Sequence, residues 1–194
     1  MPDCPAWLEN ALPDAREGAG ALTVARLGNA DLVGAGGLKL TSVAFGDGEA
    51  LDPSFTADEE DAAAPPLEWS QPPAGTQEMV LVVEDADAGA KCHWLVFGLT
   101  AQRGKLMEGE VPPRAGKNAA GKAEWLLPAP AEDEEPHHYI FQLFALDAPI
   151  GLSPGASRKA LVEAMEGHVL SVALLTGTYA RDKEIEDWDD LEVE

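Results

Sequence analysis

Two apolar runs constrain this chain more than any other feature: Met79-Val80-Leu81-Val82-Val83, and Tyr139-Ile140-Phe141 continuing to Leu146. Short runs that are apolar almost throughout, without strict polar alternation, read as strands covered on both faces. They belong to a series separated by turn residues: Leu38 to Val43, Met79 to Glu84, His93 to Leu99, Tyr139 to Leu146 and Val172 to Tyr179. This texture predicts a mostly β chain folded as a sandwich of two antiparallel sheets. One C-terminal helix is expected from Arg158 to Gly167, capped by Ser157, with Leu161, Ala164 and Met165 on its apolar face.

Upstream of Leu38 the pattern differs. Pro5 to Leu12 suits a short amphipathic helix, and Gly18, Gly20, Gly34, Gly36 and Gly37 then interrupt regular structure. Residues 1–37 are therefore expected to be an N-terminal extension, 38–181 the sandwich domain that stands without it, and 182–194 an acidic tail. The 194 residues suffice for one domain of this size. Thirteen Lys and Arg against 35 Asp and Glu give a formal charge of -22, which repels polyphosphate and anionic lipid surfaces and argues against nucleic acid or membrane partners. No apolar run approaches the roughly 18 residues of a membrane span. The start Met1-Pro2-Asp3-Cys4 lacks the features of a secretory signal, so a cytoplasmic protein is expected. Two cysteines, Cys4 and Cys92, are too few for a disulfide framework and read as reduced thiols.

Chemistry-bearing residues gather at the ends of the buried runs. Glu84-Asp85-Ala86-Asp87 closes one strand, and Asp85 and Asp87 would share a side if the extended geometry persists. The local sequence leaves two readings open: a paired carboxylate site, or a turn whose Asp side chains bond nearby backbone N–H groups. His93 opens the next strand, with Leu95 and Phe97 expected on its own face and Cys92, Trp94 and Val96 on the other. His137-His138-Tyr139 opens another, with His137 and Tyr139 on one face and His138 on the opposite one. An Asp pair, two histidines and a tyrosine at strand ends could line one pocket.

These residues carry a family resemblance. Pro65-Pro66-Leu67-Glu68-Trp69, Pro73-Ala74-Gly75-Thr76, Asp85-Ala86-Asp87-Ala88, His93-Trp94, Pro136-His137-His138-Tyr139, and Met165-Glu166-Gly167-His168-Val169-Leu170 through Gly177-Thr178-Tyr179 resemble the phosphatidylethanolamine-binding family. The likeness is greatest to its bacterial YbhB/YbcL branch, called Raf kinase inhibitor-like, and runs from about Leu38 to Arg181. It implies a Greek-key β-sandwich with C-terminal helical elements and a small anion-binding pocket made by Asp85, Asp87, His93, His137 and Tyr139, with Pro65 and Pro66 beside it. The family's DPDxP reads Asp85-Ala86-Asp87-Ala88-Gly89 here, its HRY reads His137-His138-Tyr139, and a glycine-and-tyrosine segment reads Glu124-Trp125-Leu126-Leu127. The last change is expected to place a carboxylate and an indole at the pocket mouth.

The expected function is non-catalytic binding of a small anion or phosphorylated head group, without cofactor or metal. Imidazole and phenol can donate to such a ligand, and Asp can fix a histidine tautomer. The alternative is a hydrolase using the Asp/His cluster, which lacks a GxSxG elbow or other clear nucleophile. A metal held by the histidines and aspartates is chemically reasonable but is not what the resemblance implies. Relatives of this fold inhibit kinases or proteases, so a regulatory protein partner is conceivable, and a homodimer is implied by the same branch. His168 is expected at a helix end or interface.

Overall fold

The two apolar runs become the middle of a sheet. The computed structural model describes residues 2–14 and 17–182, so the expected acidic tail lies outside the described residues from 183 onward. The strands are β1 (Leu40–Thr41), β2 (Glu49–Ala50), β3 (Leu67–Trp69), β4 (Glu78–Asp85), β5 (Lys91–Leu99), β6 (Gly104–Leu106), β7 (Ala115–Gly116), β8 (His137–Leu146) and β9 (Val169–Tyr179). The helices are α1 (Ala6–Ala11), α2 (Thr23–Leu27) and α3 (Arg158–Met165). Among the described residues, a larger sheet runs β2-β9-β8-β4-β5-β7 and a smaller one β1-β3-β6. Their strands pair antiparallel except for the edge strand β2, which lies parallel to β9. No helix among the described residues is long and apolar enough to cross a membrane.

Every position of β4 is buried. On the inner face of the large sheet, Met79, Leu81, Val83, Trp94, Val96, Phe141 and Leu143 pack with Leu40, Leu67, Trp69 and Leu106 of the small sheet. On the outer face, Val80, Val82, Leu95, Phe97, Ile140 and Phe144 pack under Leu8, Leu12, Leu22 and Val24 and under Leu161 and Met165 of α3. Leu8, Leu12, Leu22 and Val24 of the N-terminal segment, expected outside the core, thus supply one of its two covers together with α3. A sheet apolar on both faces needs a layer on each side, and α3 alone is eight residues long. Val33 adds a parallel bridge to Val172, and Gly34 N–H donates to the Val172 carbonyl at 2.9 Å.

The cover is fastened by one buried carboxylate. Glu84 is fully buried. It accepts from the Thr23 backbone N–H and hydroxyl, each at 2.8 Å, from Gln142 Nε2 at 2.8 Å and from Arg158 Nε at 2.5 Å. Gln142 Oε1 in turn accepts from Val24 N–H at 2.8 Å. The first turn of α2 thereby passes its otherwise orphaned N–H groups to side chains of the sheet. Arg158 sits in the first turn of α3, where a cation opposes the helix dipole. Its pairing with Glu84 explains why it stands there, while Ser157 Oγ caps the helix by accepting from Ala160 N–H at 3.1 Å.

A chain beginning at residue 38 should lose its cooperative denaturant transition and bind a hydrophobic dye, because the outer face is then bare. In the full chain, Thr23→Val should cost about 1–3 kcal/mol, since Glu84 loses an accepted bond while remaining buried. Urea unfolding of both proteins checks this; an unchanged midpoint for Thr23→Val would show that the Glu84 network does not hold the cover.

Candidate functional site

A β-bulge sets the geometry of the site. Along β4 and β5, Val83 pairs with Trp94 but Glu84 pairs with Cys92, so His93 is the extra residue. Bulges re-aim side chains, and here strict alternation fails. Cys92 joins Leu95 and Phe97 on the outer face. The His93 ring instead turns inward, with its centroid 5.1 Å from Tyr139 in an edge contact and 6.1 Å from Trp125. His93 therefore does not share a face with Leu95 and Phe97, contrary to the period-two expectation, and this places it beside Tyr139.

The end of β4 supplies the second part. Asp85 is buried, and its two carboxylate oxygens do different work: Oδ1 accepts from Asp87 N–H at 2.9 Å, and Oδ2 accepts from His137 Nδ1–H at 2.7 Å. The turn reading holds for this aspartate, and the same side chain also reaches a histidine of the neighbouring strand. The chain leaves extended geometry immediately afterwards, in a 3₁₀ turn over Ala86–Ala88, so Asp87 does not share a side with Asp85. Its Oδ2 accepts from the His138 backbone N–H at 2.7 Å and pairs with His138 Nδ1 at 2.8 Å. One turn thus steadies two successive histidines that face opposite sides of β8.

Asp85, His93, His137 and Tyr139 line a cavity of about 240 Å³, together with Ala88, Lys91, the strap Ala129, Pro130 and Ala131, and Glu134. Asp87 stands behind this wall rather than in it. Pro65 and Pro66 are also not among its lining residues; they lead into β3 of the small sheet, where the Pro66 carbonyl accepts from Ser42 Oγ at 2.6 Å. Nor do Glu124 and Trp125 form its mouth. Trp125 is buried, stacked on Phe141, and donates Nε1–H to the Phe55 carbonyl at 3.1 Å. Glu124 is exposed, 3.9 Å from Lys122, and lines a separate cavity of about 570 Å³. Asp58 accepts from the Tyr179 hydroxyl and from Arg181 Nε. His168, expected at a helix end or interface, pairs with Asp147 on the surface.

The two histidines of the cavity are electrically unlike. His137 donates Nδ1–H to Asp85 and Nε2–H to Glu134 Oε2 at 2.9 Å, which requires the imidazolium form. Burial lowers its pKa most strongly, but the hydrogen bond and charge of Asp85, the Glu134 bond and the Asp87 charge together outweigh burial and raise it. His93 is 2% exposed and donates Nδ1–H to the Leu126 carbonyl at 2.6 Å. Its Nε2 is buried with no hydrogen-bond partner among the described residues. Burial lowers its pKa, against the opposing effects of the Leu126 carbonyl and Asp85. The Tyr139 hydroxyl is pushed well above its ordinary value by burial and then by Asp85 and Asp87. Among the described residues, no set of three or more His, Cys, Asp or Glu side chains is placed to hold a metal ion.

Sequence reasoning missed Lys91, Glu134 and the Leu126 carbonyl. Glu134 lies in the acidic run Glu132 to Glu135 and Lys91 two residues before His93, so both were visible as residues but not as cavity walls. Leu126 stands in the segment Glu124 to Leu127 that departs from the family, but it contributes only a backbone atom, which no side-chain pattern marks.

The arrangement defines a class: a two-sheet β-sandwich with a small histidine-lined cavity at the end of its central strands. The family model described as phosphatidylethanolamine-binding protein matches residues 41–180. A UPF0098 protein of Methanothermobacter thermautotrophicus is 35% identical over 156 residues, covering 74% of this chain and 99% of that protein. A protein of the same name from Aquifex aeolicus is 35% identical over 165 residues, covering 79% and 96%. The crystal structure of CT736 from Chlamydia trachomatis, described as a phosphatidylethanolamine-binding protein homologue, is 32% identical with a TM-score of 0.68 over 75% of this chain and 98% of its own. That of Escherichia coli YbcL, described as a member of the mammalian PEBP family, is 25% identical with a TM-score of 0.67 over 74% and 98%. The chain belongs to the phosphatidylethanolamine-binding protein family.

Histidine-detected NMR titration should place the His137 midpoint above about 6.5 and that of His93 below it. The signs carry into stability. His137 contributes stability that is complete below about pH 6.5 and is lost as pH rises through its raised folded value. His93 is held neutral, so it costs stability as pH falls from about 6.5 through its lowered value, because the unfolded chain then binds the proton first. A reversed order of midpoints would exclude the hydrogen-bond assignments above.

Proposed function

We propose that this chain is a non-catalytic binding protein whose ligand is a small anion or phosphorylated head group, held in the cavity between His93 and His137. The observation that carries the reading is the convergence of Asp85, His93, His137 and Tyr139 on one small cavity, with an imidazolium at its wall. Asp85 orients His137 and favours its cation, and the cation offers a charge-assisted N–H to an anion. Lys91 adds a second positive charge to the lining.

Support for the non-catalytic part comes from the makeup of the wall. Among the described residues, it contains no serine, threonine or cysteine. Cys92, the nearest thiol in sequence, lies on the outer face of the sheet, and burial followed by the Glu84 charge pushes its pKa up to about 12. A thiol of that kind is a poor nucleophile at neutral pH. A cytoplasmic setting, in which thiols stay reduced, goes with this reading, since Cys4 and Cys92 are unpaired.

Calorimetric titration with inorganic phosphate tests the proposal. Phosphate should bind the wild type, and His137→Ala should weaken it by about tenfold or more. Affinity should also fall as pH rises through the raised His137 value, because the donating cation is lost. Binding unaffected by His137→Ala, or hydrolysis of generic esters that disappears in His93→Ala, would overturn the reading.

A further inference from the structure

The larger cavity, of about 570 Å³, opens over Trp94 and Trp125 and contains none of Asp85, His93, His137 and Tyr139. The two indoles are buried in an edge contact with centroids 5.7 Å apart, which makes a fixed floor. Ala62, Ala63 and Ala64 form part of the wall, and Val111 and Pro112 another part. Backbone hydrogen bonds hold these pieces in place. Gly109 N–H donates to the Ala64 carbonyl at 2.9 Å, tying the turn after β6 to the alanine segment. Gly109 has a φ of +69°, and a Cβ there would meet Ala63 Cβ at 3.4 Å, so glycine suits this close approach. Glu110 closes the turn: its side chain accepts from Met107 N–H at 2.7 Å, and its own N–H donates to the Met107 carbonyl at 3.0 Å. Asn118, 6% exposed, pins the next stretch by accepting from Ala120 and Lys122 N–H groups and donating to the Glu124 carbonyl. The concavity is preformed, as binding sites usually are.

The same turn leaves apolar side chains in water. Val111 is 79% exposed and Met107 56%, two of the three large hydrophobic side chains so exposed among the described residues. A scattered exposed hydrophobe needs no explanation, but these two stand in one turn at the edge of an apolar cavity, and contiguous apolar surface marks an interaction site. Charge around it has one sign. Glu110 and Glu124 line the cavity, Glu59, Glu60 and Asp61 are exposed on the loop between Ala57 and Ala62, and Glu108 is exposed beside Met107. Lys122, 3.9 Å from Glu124, is the only cationic side chain among the described residues of the wall.

We infer that this cavity docks a basic segment of another protein, which inserts apolar side chains over Trp94 and Trp125 and sets Lys or Arg side chains against the surrounding carboxylates. The inference goes beyond the histidine-lined site and does not depend on it. An apolar floor ringed by carboxylates matches a cationic partner with an apolar anchor, and the same ring opposes an acidic one. That opposition also selects against a second copy of this chain, which at a formal charge of -22 brings like charge to the rim. Apolar anchoring supplies the affinity, and the carboxylates supply the choice of partner.

The test uses the full chain and a fluorescein-labelled peptide of two central leucines flanked on each side by two arginines, followed by anisotropy. Two control peptides replace the leucines by serine or the arginines by glutamate. The basic, leucine-bearing peptide should bind at least about tenfold more tightly than either control. Its affinity should fall as salt rises past about 0.15 M, where the screening length is about 8 Å. Val111→Ser and Glu124→Lys, both at exposed positions, should each weaken it by about fivefold or more while leaving phosphate titrations unchanged. Tryptophan emission should change on saturation in the wild type, because Trp94 and Trp125 form the floor. Equal binding of the serine control shows attraction to the overall charge alone and overturns the inference. So does binding indifferent to both substitutions, or no binding of the basic peptide at low salt. Self-association of the wild type that Val111→Ser abolishes makes a second copy the occupant and overturns it as well.

Discussion

Burial of β4 on both faces is the constraint from which the rest of the structure follows. A strand with no exposed position cannot lie on the surface of a sandwich, so a second layer must close the side away from the small sheet. The N-terminal segment and α3 form that layer, and Glu84 joins them. A buried charge is tolerated only where hydrogen bonds and an opposite charge surround it. Glu84 meets that condition with partners from α2, β8 and α3 at once. Its carboxylate is thus the place where three separate pieces of chain agree on one arrangement.

The cavity begins at the next residue. Glu84 and Asp85 are neighbours on β4 and point to opposite faces, one into the structural network and one into the cavity. Rigid placement of Asp85 is a by-product of the packing that holds β4. Side chains on central strands are positioned more tightly than side chains on loops. Asp85, His137 and Tyr139 gain from this, whereas Glu134 stands on a loop and is half exposed. The cavity therefore combines side chains held by central strands with an acidic one carried on a loop.

Strong overall acidity, at a formal charge of -22, looks contradictory to the anion-binding function proposed for the cavity. Local charge resolves it. Lys91 and His137 stand against Asp85 and Glu134 at the cavity wall, so the charges lining it are balanced while the chain as a whole is strongly acidic. The same acidity works against docking on anionic surfaces and does not forbid a small ligand that reaches two cations. Tyr139, held protonated by burial and nearby aspartates, stays available as a neutral donor.

Much of this was legible before any coordinates. Unbroken hydrophobicity in Met79 to Val83 and Tyr139 to Phe144 dictated strands covered on both faces, and the period of two assigned His137 and His138 to opposite sides of β8, because alternation is a local property of extended backbone. The order of the motifs carried the family. What the sequence could not decide involved contacts between distant residues or departures from local regularity. Alternation misassigned His93 because a bulge inserts one residue, and a bulge is a property of the pairing with β4 rather than of β5 alone. The 3₁₀ turn after Asp85 separated Asp87 from the cavity for a similar reason. Glycine-rich composition made residues 1–37 look detachable, yet Leu8, Leu12, Leu22 and Val24 are buried, since the need for a cover arises on the sheet and not in the segment that meets it. Local propensity set the strands and their faces; burial, charge and the unpaired nitrogen of His93 were settled only when chain segments far apart in sequence closed around them.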